Sequence, residues 1–182
     1  MGYRQKHFET CLAKCLMILA EREKGIRLTD KYELEMLVFA MDYDRENFVV
    51  GHLAKACKDF GLKLDWIAGS KILFDFAKKR KMPKAVSFSC HKIDLKFIDS
   101  ALDRPAIVFL DQFQLWQKSM GLYHKCHWPH FVVVEKKTRG SYEIIDPSTG
   151  KKREISKKLL SKAISSLRNH LWLSPQIIRI SK

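Results

Sequence analysis

The chain has 182 residues, 46% hydrophobic and 30% charged, a size and balance that fit one globular domain (1–182) with a sizeable core and exclude a disordered chain. Its formal net charge of +14 favours anionic partners such as acidic lipid, nucleic acid or an acidic protein. Five dispersed cysteines and no apolar leader argue against a disulfide framework and for reduced thiols in a cytoplasmic protein, and no apolar run approaches the ~20 residues of a membrane span.

In chain order, residues 8–22 predict a helix, with apolar positions 12, 15, 16 and 19 and with Thr10 as N-cap, so that Cys11 falls in the first turn. Further helices are expected over about 30–40 and 50–60, the latter closed by Gly61. A short strand at 62–66 and a helix at 70–80 follow. After Pro83 the apolar runs 85–88 and 106–110 predict strands around a helix at 92–101, and 111–129 reads as irregular. A hairpin is expected from Phe131–Glu135, a turn at 137–140, and Tyr142–Ile145, followed by an Asp146-Pro-Ser-Thr-Gly150 turn. A strand at 152–155, a helix at 156–166 and a strand at 175–180 complete the chain. Helices first and strands later predict an α+β domain, an N-terminal helical layer packed on a C-terminal antiparallel sheet.

Four residue types then stand out for chemistry. A thiol at a helix N-terminus, as expected for Cys11, feels the positive end of the macrodipole, which favours the nucleophilic thiolate. Cys15, one turn later, reads as a core residue. His130 at the start of one hairpin strand and Asp146 at the end of the next are expected at the same end of the hairpin, as a base and its orienting carboxylate require. Gln5, six residues before Cys11, is a candidate oxyanion donor.

The segment Gln5-Lys-His-Phe-Glu-Thr-Cys11-Leu-Ala-Lys-Cys15-Leu-Met, the run His130-Phe-Val-Val-Val and the turn Asp146-Pro-Ser-Thr-Gly150 resemble, in order and spacing, the bacteriocin-processing cysteine peptidases of double-glycine leaders and their stand-alone relatives. Segments 51–66 and 104–111 are also similar to that family's middle helix–strand and to the strand preceding its His. The resemblance implies a papain-like fold, a catalytic set of Cys11, His130, Asp146 and Gln5, and hydrolysis of a peptide or amide with no cofactor and no metal. Leu12 stands where the family carries Gly, which is expected to narrow the space beside the thiol.

Alternative readings are acyl transfer or deamidation on an acidic protein partner, and a non-catalytic peptide-binding module of the same fold. Nucleic acid is not favoured, because basic runs such as Lys78–Lys81 and 151–153 come with no zinc-finger, RNP or helix-turn-helix signature. The cluster His124, Cys126, His127 and His130 matches no zinc spacing. The aromatics Phe113, Trp116, Tyr123 and Trp128 read first as packing residues and second as lining for a cleft.

Overall fold

A computed structural model describes residues 3–7, 10–116 and 126–181. Its first elements are three helices, α1 (Cys11–Lys24), α2 (Asp30–Tyr43) and α3 (Phe48–Phe60). Every residue of α1 from Leu12 to Ala20 is buried, Lys14 included, so α1 is a central helix enclosed by its neighbours rather than an amphipathic one lying on a surface. It ends at Gly25, whose left-handed backbone (φ 66°) turns its N–H back to the Glu21 carbonyl. At Gly51, α3 crosses α2 so closely that a Cβ would lie 2.5 Å from the Ala40 Cα, which requires glycine there.

Seven strands form one sheet: β1 (Leu64–Ala68), β2 (Val86–Cys90), β3 (Ala106–Asp111), β4 (Pro129–Lys137), β5 (Ser141–Asp146), β6 (Lys151–Ser156) and β7 (Gln176–Ile180). Their order is β2-β1-β7-β3-β4-β5-β6. The remaining helices are α4 (Lys71–Lys78), α5 (Leu95–Ala101), α6 (Gln112–Trp116) and α7 (Lys157–Leu171). The α+β class agrees with the sequence, but two features of the expected layout need correction. The sheet is mixed, because β1 and β2 pair in parallel across the α4 connection while the other pairs are antiparallel. Helices also cover both faces rather than forming one N-terminal layer. Leu16, Val50 and Ala77, from α1, α3 and α4, share a cluster with Phe109, Phe131 and Ile145, whereas Ile98, Leu115 and Ile164, from α5, α6 and α7, share one with Val108, Val132 and Ile144. Central strands buried on both sides carry unbroken apolar runs, which is why Ala106–Leu110 and Phe131–Val134 show no polar alternation.

The register brings the chemistry to one end of the sheet. Leu110 pairs with His130, Val133 with Ile145, Val108 with Ile177 and Ala68 with Gln176. Hence the end of β1, the start of β7, the end of β3, the start of β4 and the end of β5 all lie on the same edge. Among the described residues no helix is long and apolar enough to cross a membrane.

Candidate active site

Cys11 is the first residue of α1 and is partly exposed, while Cys15 one turn on is fully buried with its thiol 3.5 Å from the Phe131 carbonyl. Burial, with the charges of Cys11 and Asp146, pushes the Cys15 thiol well above the ordinary range, so it stays protonated as a packing residue. Thr10 occupies the N-cap position as expected, yet makes no capping bond. Its hydroxyl is taken instead by the His7 carbonyl at 2.7 Å and by the Glu33 carboxylate. With no side chain across the helix mouth, the first-turn N–H groups beside Cys11 keep their positive potential for the thiol or for a bound anion.

His130 and Asp146 are both buried, and His130 Nε2 lies 2.9 Å from Asp146 Oδ1. That engagement assigns the Nε2 proton to the carboxylate side and leaves Nδ1 as the nitrogen available to sulfur. Burial disfavours the His130 imidazolium, but hydrogen bonds to Asp146 and Cys11, with the charges of both, override it and raise its pKa to about 9. Burial opposes the charge of Asp146 as well. There the His130 bond and charge, with the Ser148 hydroxyl and N–H, prevail and hold the carboxyl below its usual range. The Ser148 N–H and hydroxyl donate to Asp146 Oδ1 at 2.9 and 2.7 Å, and Gln112 Nε2 donates to Ser148 Oγ at 3.0 Å. The Asp-Pro-Ser-Thr-Gly turn thus aims and ionises the carboxylate besides reversing the chain. Thiol, imidazole and carboxylate stand in the order that nucleophilic acyl chemistry uses.

The arm before Cys11 is clamped at both ends. Gln5 N–H donates to the Pro147 carbonyl at 2.6 Å, and the Lys6 and His7 N–H groups donate to Glu33 at 2.8 and 3.2 Å. Gly150 leaves room for the arm, since a Cβ there would lie 2.6 Å from Arg4 N. The fully buried Glu33 faces the equally buried Lys14 ammonium at 3.7 Å, and Lys14 also reaches Asp30 at 3.1 Å. Glu33, Lys14, Ser148 and Gln112 were not singled out from the sequence. Lys14 carried a signal, a lone charge inside the apolar run Leu12–Ala20, whereas Glu33 lies among the acidic residues of α2 with nothing to distinguish it.

Gln5 sits beside the Asp146 turn through its backbone, but its side-chain amide donates to the His7 carbonyl at 3.1 Å, and its Oε1 is buried without a partner among the described residues. The other amide hydrogen has no partner among the described residues. The Leu12 side chain is 1% exposed and packed in the core. Of the four aromatics, Phe113 packs against His127 and Trp128 is exposed, while the Trp116 side chain and Tyr123 lie outside the described residues. In the His/Cys cluster, His127 is bound to Asp111 at 2.6 Å and His130 to Asp146, and His124 lies outside the described residues. No family model, curated protein or solved structure matches the chain.

Proposed function

We propose that this protein is a thiol hydrolase of the cysteine-peptidase type, with a papain-like arrangement of nucleophile helix and base-bearing sheet, acting on a peptide or amide bond. The observation that carries the reading is the line from the buried Asp146 through the buried His130 to the partly exposed Cys11, with the His130 pKa raised to about 9 by its hydrogen bonds to both. The motif order of Gln5, Cys11, His130 and Asp146 supports the same reading.

In this mechanism the Cys11 thiolate adds to the carbonyl carbon. A C–S bond forms and the carbonyl π pair moves to oxygen. The open N-terminus of α1, with the remaining Gln5 amide hydrogen, stabilises that oxyanion. Collapse breaks the C–N bond, and the leaving amine takes its proton from His130. Water then adds to the thioester while His130 takes its proton, and the C–S bond breaks to release the acid. Asp146 keeps the ring oriented throughout and stabilises its charge.

A pool of p-nitrophenyl esters tests this without knowledge of the natural substrate. The expected result is a burst of one nitrophenolate per chain, with the acyl mass on Cys11 by peptide mapping. Cys11→Ala should abolish the burst and His130→Ala should slow it at least ~100-fold. Acylation spread over the other cysteines, or turnover retained in Cys11→Ala, would overturn the proposal.

A further inference from the structure

Two apolar side chains are displayed where the fold gives them nothing to pack against. Trp172 is 92% exposed and Ile72 is 85% exposed, and Leu173 and Phe76 are exposed beside them in the chain. Trp172 also holds a left-handed backbone (φ 58°) at the C-terminus of α7, a position that glycine occupies at less cost. The two segments meet in space. The Gly69 N–H donates to the Pro175 carbonyl at 2.8 Å, and Arg168 donates to the Gly69 carbonyl at 2.5 Å. Ile72 follows that junction by three residues and Trp172 precedes it by three, at the edge of the sheet that carries His130 and Asp146. In the sheet, only β3 separates β7 from β4.

Charge indicates what covers the patch. Residues 71–84, which carry Ile72 and Phe76, hold six Lys and Arg against the single acidic residue Asp75. Lys71, Lys78 and Lys79, on α4 and at its C-terminus, are exposed and enter no ion pair among the described residues. So concentrated a positive charge repels a second copy of the same face and attracts an anionic one. A bare basic face would suit nucleic acid as well. Exposed aliphatic side chains such as Ile72 and Leu173 have no role in stacking on bases, whereas a tryptophan with aliphatic neighbours inside a lysine-rich rim matches the interfacial zone of a bilayer.

We propose that the face formed by Ile72, Trp172 and Leu173 with the lysines of α4 and its C-terminus docks peripherally on an anionic phospholipid membrane. The apolar side chains insert to headgroup depth and the lysines contact the lipid phosphates. Docking in this way sets the candidate active-site edge toward the bilayer, so substrate would be met at or near the membrane surface.

The test is co-sedimentation of the full chain with vesicles of phosphatidylcholine alone, and of phosphatidylcholine with 30% phosphatidylserine, read alongside tryptophan quenching by brominated lipid. Expected are binding to the anionic vesicles at least ~10-fold tighter than to neutral ones, loss in 0.5 M salt, and quenching that is lost in Trp172→Phe. Ile72→Ser with Trp172→Gly should bind at least ~10-fold more weakly. Both positions are on the surface, so circular dichroism should be unchanged, and Trp172→Gly alone should raise Tm through the relief of its backbone. Cys11→Ala should bind as the wild type does, which separates this proposal from the catalytic one. Equal binding by the Ile72/Trp172 variant, no binding to anionic vesicles at low salt, or displacement of the protein from vesicles by a single-stranded oligonucleotide with quenching of Trp172 would each overturn it.

Discussion

Replacing Asp146 by Asn keeps the shape of the side chain and removes its charge. In the native protein the carboxylate is fully buried, holds His130 Nε2 at 2.9 Å and accepts two hydrogen bonds from Ser148, so no solvent screens the pair. A charge-assisted hydrogen bond contributes roughly 1.5–3 kcal/mol and a neutral one roughly 0.5–1.5. The difference, roughly 1–1.5 kcal/mol, is about one pKa unit. His130 should therefore lose its proton about one unit below its present value of about 9. Because that value lies above the unfolded value of 6.5, the imidazolium's contribution to stability is fully present below about 6.5 and is lost as pH rises through about 9. In Asp146→Asn this window should narrow from its alkaline side. Two assays read the change: NMR titration of the His130 ring, and the pH profile of Cys11 alkylation by iodoacetamide. Cys57 serves as an internal control, since burial pushes its thiol up to about 11. Ester turnover should fall roughly 10²–10⁴-fold, the span for a positioned acid–base group. A His130 midpoint and a turnover indistinguishable from wild type would refute the assignment of Asp146.

Three further outcomes are expected. Glu33→Ala leaves the buried Lys14 ammonium with Asp30 alone and frees the Lys6 and His7 N–H groups and the Thr10 hydroxyl, so it should lower unfolding free energy in urea by about 2 kcal/mol and slow Cys11 alkylation; a loss under about 0.5 kcal/mol would contradict the clamp. In Gly51→Ala the helix-propensity gain of about 1 kcal/mol is outweighed by a Cβ placed 2.5 Å from Ala40, so a net destabilisation of about 1–2 kcal/mol is expected by thermal melting, and a rise in Tm would disprove the close crossing of α2 and α3. His52 is buried in α3, its Nδ1–H donates to the Phe48 carbonyl at 2.7 Å, and burial lowers its pKa to about 4. Its depressed pKa means that stability is intact above 6.5 and declines as pH falls toward 4, by roughly 3 kcal/mol; urea titrations of His52→Leu should show a visibly flatter decline.

Much of this protein was legible from local pattern. Period-3.6 apolar spacing marked α1, the Gly61 C-cap closed α3, and the hairpin with its Asp-Pro turn set His130 and Asp146 at one end, because hairpin register follows from turn length. The place of Cys11 in the first turn of α1 was likewise readable, although Thr10 makes no capping bond. Tertiary structure alone decided the rest. The last strand, β7, inserts between β1 and β3, pairing with segments about 110 and about 70 residues away in sequence, which no local periodicity encodes. Thr10 looked like an ordinary cap, yet Glu33 draws its hydroxyl away and leaves the helix mouth open beside the thiol. Leu12 was read against the thiol, yet its side chain packs into the core. In each case sequence sets the residue's chemistry and its place on a helix or strand. Its actual partner is set by which distant segment folds against it, through burial and hydrogen-bond satisfaction over the whole chain.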